Sequence, residues 1–283
     1  MIRILAALSM AVALSAASPE FDRARKLYSY TDFDGSLKIL MSAEPKDAAT
    51  LELIGRNYYM LGDYRKATDW LEKALAADPS SSSHALWLGR AYGRRAETSS
   101  VVTAPRYASR TREYFEKAVQ LDPANKEAVN DLFEYYLEAP GFLGGGYDKA
   151  AKLAERIAAR DAVEGHYARA KLAEKRKDPN GAEEQLRRAA ELAPGQVGRL
   201  IDLAKFFAKQ GRYQEAEQSF QSAAKIAPNS PKLLFERADT YIRAKRNLGE
   251  ARELLQQYLK APLTPDDPPR FIAEKLLRQV SGS

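Results

Sequence analysis

Apolar and small residues recur along most of this chain at steps of three and four, the spacing that gathers them on one face of a helix. The clearest stretch runs through Leu51, Gly55, Tyr58, Gly62, Tyr64, Ala67, Leu71, Ala74 and Pro79, with steps of 4, 3, 4, 2, 3, 4, 3 and 5. Leu200, Ala204, Phe207, Gly211, Tyr213, Ala216, Phe220, Ala223 and Pro228 repeat those steps. Nine positions matched in size and chemistry mark an internal repeat. Each stretch predicts two helices. Gly62 and Gly211 fall where the first must end, because glycine accepts the left-handed conformation that closes a helix. Pro79 and Pro228 end the second, since proline cannot continue the hydrogen-bond ladder and restrains the residue before it. Ala67 and Ala216 leave room for the two helices to approach. The predicted unit is an antiparallel helix pair with a short turn, and the predicted fold class is all-α.

The same register places units at 48–81, 82–125, 126–162, 163–196, 197–230 and 231–262. The second carries Leu88, Gly89 and Tyr92, then Phe115, Ala118 and Pro123. The third has Leu132 and Tyr136, then Tyr147 and Ala150. The fourth is poorest, with Arg169 at a leucine position, although Ala182, Leu186, Ala189 and Pro194 suit its second helix. The sixth has Ala238 and Tyr241, then Ala251, Leu255 and Tyr258. Residues 18–47 read as a degenerate N-terminal helix pair, with Phe33, Ser36 and Leu40 at repeat positions. This pattern resembles the tetratricopeptide repeat, W-x2-L-G-x2-Y followed by A-x3-F and Pro, with a period of about 34 residues. The resemblance implies a right-handed α-α superhelix, a solenoid of about six helix pairs over residues 48–262.

After the last unit, the run APLTPDDPPR breaks the pattern, and Phe271, Ile272, Leu276 and Leu277 resume helical spacing. A stacked array leaves the apolar side of its last unit bare. Residues 263–283 are therefore expected to hold a C-terminal capping helix over 267–281, with Asp267 as its N-cap and Pro268 at its first position.

The first 17 residues have another character. Arg3 precedes an apolar run from Ile4 to Leu14, and Ser15 and Ala17 put small side chains before a cleavage point. That is the layout of a secretory signal peptide, with cleavage expected after Ala17. The run is short for a bilayer-spanning helix, and no cysteine follows it to carry a lipid. The expected location is the bacterial periplasm or outside the cell, without stable membrane insertion once the signal is removed. An uncleaved inner-membrane anchor is the alternative.

Composition narrows the chemistry. Of 283 residues, 45% are hydrophobic and 29% charged, which suits a globular chain. Lys and Arg number 44 against 38 Asp and Glu, a net charge of +6 too mild to point to nucleic acid. The chain has no cysteine and only two histidines, His84 and His166. A disulfide framework, a thiolate zinc site, a cysteine nucleophile and a multi-histidine metal centre are thereby excluded. His84 is expected to be solvated near a helix start, and His166 to pack or face solvent. No carboxylate pair stands out by spacing, so no enzyme activity, metal or cofactor is expected.

Two insertions interrupt the period, about ten residues around 96–106 and about five around 140–147. Both fall between the two helices of adjacent units, so two loops are expected side by side on one edge. They either line a binding face, with Phe142 and Leu143 as contacts, or fold down over neighbouring helices. The glycine run at 144–146 lacks the preceding strand and the following Lys-Ser/Thr of a phosphate-binding loop.

In tetratricopeptide proteins, positions two, five, nine, twelve and thirteen of a unit face the concave groove. By that resemblance, position nine carries Arg56, Arg90, Glu134, Lys171, Lys205 and Asp239, and position thirteen Met60, Arg94, Glu138, Lys175, Lys209 and Arg243. Eight of these twelve are basic, against about two expected by chance. Two basic stretches thus flank Glu134 and Glu138. Tyr59, Leu86, Asn130, Tyr167, Ile201 and Phe235 lie nearby. The expected peptide-binding residues are Arg56, Tyr59, Arg90, Arg94, Asn130, Lys171, Lys175, Lys205, Lys209 and Arg243. The expected ligand is a partner protein or peptide bearing acidic side chains or a terminal carboxylate, and the expected role is a non-enzymatic interaction scaffold. The alternative is a structural subunit of a bacterial envelope complex serving secretion, pili or polysaccharide.

Overall fold

The computed structural model describes residues 18–281, so the signal expected at 1–17 lies outside the described residues. Among the described residues there are fifteen α-helices, one short 3-10 turn and no strand. They run as α1 (Pro19–Ser29), α2 (Phe33–Ser42), α3 (Ala48–Met60), α4 (Tyr64–Ala77), α5 (Ser82–Thr98), α6 (Ala104–Leu121), α7 (Lys126–Glu138) and α8 (Tyr147–Ala158). There follow α9 (Ala162–Lys175), α10 (Pro179–Leu192), α11 (Val197–Lys209), α12 (Tyr213–Ile226), α13 (Pro231–Arg243), α14 (Leu248–Lys260) and α15 (Arg270–Ser281). Odd and even helices from α1 to α14 form seven pairs, and each pair packs on the next to build a superhelix. No helix of the described residues is long and apolar enough to cross a membrane.

One turn is used five times. The second residue after the first helix sits in the left-handed region at Thr31, Gly62, Lys177, Gly211 and Lys245. Its amide donates to the carbonyl three residues back, and the next amide reaches five back, as in Gly62 to Tyr59 and Asp63 to Tyr58. These two hydrogen bonds satisfy carbonyls that a helix end otherwise strands. In three of the five turns the following residue then caps the second helix. Asp32, Asp63 and Asp178 each accept from the amide three residues on.

Within each pair the repeated small residues are buried at the crossing. Ala67, Ala150, Ala182 and Ala251 are fully buried, with Thr111 in the same role in the second unit. Leu71, Phe115, Leu186, Phe220 and Leu255 fill the layer one turn on. Two glycines allow the closest approach, since a Cβ on Gly55 would lie 2.5 Å from Leu71 and one on Gly89 2.5 Å from Phe115.

The insertions are built differently from the expected loops. The first lengthens α5 and α6, leaving only residues 99–103 between them. Unit two has no glycine where Gly62 and Gly211 stop their helices, so α5 continues to Thr98. The second folds down on its neighbours, because the Leu143 carbonyl accepts from the Tyr135 hydroxyl at 2.9 Å and from Arg112 of α6 at 3.3 Å. Phe142 nonetheless stays 82% exposed, as do Val101 at 91% and Val102 at 88%.

At the far end α15 packs on α14 and α13, burying Ala273 and Val280 against Leu254, Leu255 and Tyr258. It begins at Arg270, later than Asp267 and Pro268 suggest. Pro269 disfavours helical backbone at Pro268, which delays the helix. Asp267 instead accepts from the amide and hydroxyl of Thr264, at 2.9 and 3.0 Å.

Candidate functional site

The first helices of successive pairs touch along one side of the stack, α1 with α3, α3 with α5, α5 with α7, and α11 with α13. Three depressions open along this inner face. One of about 660 Å³ lies over α3 and α5, a neighbour of about 480 Å³ over α5 and α7, and a third of about 660 Å³ over α9, α11 and α13.

In the N-terminal depression arginines alternate with aromatic rings. The Arg56 guanidinium lies 5.1 Å from the Tyr28 ring centre and 4.3 Å from that of Trp87, and Arg90 lies 4.8 Å from Trp87 on its own helix. Tyr59 meets Trp87 and Tyr64 edge-on, at 5.5 and 5.6 Å. Burial pushes the Tyr59 hydroxyl up to about 12, so it remains a neutral donor. Arg94 bonds the Tyr64 hydroxyl at 3.2 Å and pairs with Glu97. Arg90 pairs with Asp131 at 2.6 Å and Glu127 at 2.9 Å. The planar guanidinium suits this double use, stacking by its face while donating at its edge.

The C-terminal depression is lined by lysines tied to carboxylates of the same or the adjacent unit. Lys171 and Lys209 both reach Glu174, at 3.5 and 2.9 Å, Lys205 reaches Glu236 at 2.6 Å, and Arg243 reaches Asp239 at 2.6 Å. Between the two halves Lys175 pairs with Glu138 at 3.1 Å. Burial holds Asp202, Asp131 and Glu134 above the usual carboxylate range, although Arg199, Arg90 and Lys171 respectively pull them down. The lining is thus a mosaic of paired charges, where the basic positions taken alone suggest a positive stripe.

Eight of the ten residues expected from the sequence line the two larger depressions. These are Arg56, Tyr59, Arg90 and Arg94 in one, and Lys171, Lys205, Lys209 and Arg243 in the other. Lys175 and Asn130 line neither, and Asn130 is half-buried on α7. Ile201 and Phe235 are core residues, whereas Leu86, also largely buried, lines the floor of the N-terminal depression. His84, expected in solvent, is only 7% exposed and pairs with Glu52 of α3. The residues that sequence reasoning missed are Trp87, Tyr64 and the carboxylates at positions two, six and twelve, namely Glu127, Asp131, Asp202, Glu236 and Glu174. Positions two and twelve belong to the groove set and were open to reading. The residues at 265–269 from the far end of the chain also line the N-terminal depression.

Comparison with known proteins agrees with the fold. Three family models described as tetratricopeptide repeat match residues 48–81, 144–197 and 207–270, together more than half of the chain. Among curated proteins none matches. Of solved structures, a tetratricopeptide repeat protein from Parabacteroides merdae superposes with a TM-score of 0.61 at 13% identity, over 93% of this chain and 97% of that one. A thermophilic TPR protein of Thermus thermophilus gives 0.54 at 20% identity, over 66% of this chain and 97% of that one. The Cut9–Hcn1 hetero-tetramer of the APC/C gives 0.53 at 14% identity, over 91% of this chain and 48% of that one. At these identities the likeness is one of fold.

Proposed function

Because the chain belongs to the tetratricopeptide repeat family, whose fold generally serves as a non-catalytic protein–protein interaction scaffold, we propose that it holds an extended segment of a partner protein in the inner groove. The observation that carries this reading is the row of three depressions along the first helices, with eight of the ten expected side chains in the two largest. Each basic group there is held by a carboxylate, so its position is set before a ligand arrives. An acidic side chain or a terminal carboxylate then joins an existing ion pair, and its contact gains from partial desolvation. Lys205, Lys209 and Arg243, each with one carboxylate partner and a side chain about half-exposed or more, are the groups with donors to spare.

Export to the bacterial periplasm is part of the proposal. Ser18 caps α1 through the Phe21 amide, so cleavage after Ala17 leaves the first helix with its cap. N-terminal sequencing of the mature protein is expected to begin at Ser18, and a start at Met1 would refute cleavage. For the groove, the partner is identified by cross-linking in intact cells and then purified. Replacing Lys171, Lys205 and Lys209 by Glu is expected to weaken its binding about tenfold or more. Equal affinity for the variant would discard the groove reading.

The exposed tips Val101, Val102 and Phe142 favour a second reading, a fixed subunit of an envelope complex. Apolar tips of this kind are usual at permanent contacts. Co-purification at constant stoichiometry in high salt would select that reading, and binding that fades with salt the first.

A further inference from the structure

The link between α14 and α15 reads Thr-Pro-Asp-Asp-Pro-Pro at 264–269. It lies far along the chain from α3 and α5, yet Asp266 and its flanking prolines form one wall of the N-terminal depression, facing Arg56, Trp87 and Arg90. The closure is held by Phe271, whose ring rests on Gly62, so that a Cβ added there would lie 3.1 Å from it. Gly62 has a φ of +80° as well, so the left-handed turn and the ring contact both call for glycine. The superhelix thereby returns on itself, and the end of the chain crosses its own groove.

The two walls are chemically matched. On the link, three prolines favour an extended chain with little conformational freedom to lose. Asp267 is occupied by Thr264, whereas Asp266 is exposed and makes no ion pair or hydrogen bond among the described residues. Its charge is close enough to act on Tyr28, beside Arg56. On the opposite wall, the Arg56 guanidinium lies between the Tyr28 and Trp87 rings, with Glu52 as its carboxylate partner at 3.3 Å. A carboxylate is the natural acceptor for that guanidinium, and the rings of Trp87 and Tyr59 are flat surfaces against which a proline-bearing extended chain packs.

We propose that the N-terminal half of the groove is a docking site for an extended partner segment in which acidic residues adjoin prolines, and that residues 264–269 are its built-in competitor. This rests on the groove reading above and adds the half of the groove used, the chemistry of the ligand and the strap that guards it. Asp266 draws the strap toward the arginines and Phe271 latches it on Gly62. An incoming acidic segment must displace an intramolecular rival whose effective concentration, for a short tether, is on the order of millimolar.

The test uses the full chain carrying Trp70→Phe, which leaves Trp87 as its single tryptophan. The probes are a synthetic peptide with the sequence of residues 263–270 and a version with both aspartates replaced by lysine. The acidic peptide is expected to change Trp87 emission in a salt-sensitive titration, and the basic one to have no effect. Asp266→Lys and Phe271→Ala, which loosen the strap by different means, are each expected to tighten the acidic peptide about tenfold. Arg56→Gln is expected to weaken it by about the same factor in every background. Unchanged affinity in both strap variants would overturn the proposal, as would absence of binding to all of these proteins. Loss of binding with Lys205→Glu and Lys209→Glu, and not with Arg56→Gln, would overturn it and leave the groove reading standing.

Discussion

Glu52 and His84 meet in the interface between α3 and α5, where Ser83 and Arg56 also donate to the same carboxylate. Burial alone would push the Glu52 carboxyl up, but the hydrogen bonds from His84 and Ser83 and the charges of His84 and Arg56 outweigh it, and the group lies below its usual 4.5. A carboxylate depressed in the fold adds stability above its unfolded pKa, and that stability is lost as pH falls through the folded value. Wild-type protein is therefore expected to weaken below about pH 4.5 in urea titrations, and the difference from Glu52→Gln to shrink as pH falls through that range. A constant difference from pH 7 to about 3 would show that the charge of Glu52 contributes nothing. At neutral pH Glu52→Gln is expected to cost about 3 kcal/mol, because the buried imidazole and guanidinium lose their shared acceptor. The turns supply a prediction of opposite sign. Lys245 is exposed and holds φ at 52° where units one and five have glycine. Lys245→Gly is expected to stabilise the protein by about 0.5–1 kcal/mol, read as an upward shift of the urea midpoint. The glycines at 62 and 211 were legible in the sequence because only their residue type betrays the left-handed turn. Lys177 and Lys245 hide the same turn behind an ordinary side chain. His84 was misread for a related reason, since its partner belongs to the preceding unit.

For single elements the repeat was readable because helix pairing demands small residues at fixed places. Gly89 shows how strictly. Gly89→Ala puts a methyl 2.5 Å from the Phe115 ring and is expected to cost about 1–3 kcal/mol, as overpacking does. Gly249 in α14 has nothing within 4 Å of an added Cβ. Gly249→Ala is accordingly expected to be neutral or to stabilise by up to about 1 kcal/mol. Thermal unfolding of the two variants side by side checks the pair, and equal shifts would show that helix propensity outweighs packing at the crossing. The groove charges were half legible. The basic residues recur at positions nine and thirteen, four apart on one face. Four of them pair with a carboxylate three or four residues away, Arg56, Arg94, Lys171 and Arg243, but others pair across units, 31 residues from Lys205 at Glu236, 35 from Lys209 at Glu174 and 37 from Lys175 at Glu138. A count of one sign at two positions therefore sees a basic stripe where the fold assembles ion pairs.

Across the whole molecule, buried residues gather in five clusters, each spanning a few successive helices. Stability in such an array is a sum of local interfaces, and damage at one end need not travel to the other. The return of residues 264–271 to α3 was beyond reading in the sequence, because it depends on the curvature summed over all the intervening pairs. It adds a contact that a linear stack lacks, and one experiment separates the two kinds of coupling. Ala273 is fully buried among Leu255, Tyr258 and Val280. Ala273→Asp sets an unpaired carboxylate in that cluster, which is expected to detach α15 at a cost of about 3 kcal/mol or more. Hydrogen exchange is then expected to quicken over residues 231–281, where Leu254 and Leu255 lose their cover, and to remain slow across the large cluster from α4 to α9. A second site of faster exchange is expected at the turn between α3 and α4, because Phe271 no longer rests on Gly62. Change confined to the C-terminal units would mean that the ring contact carries no stability. Loss of protection everywhere would mean that the array unfolds as one body.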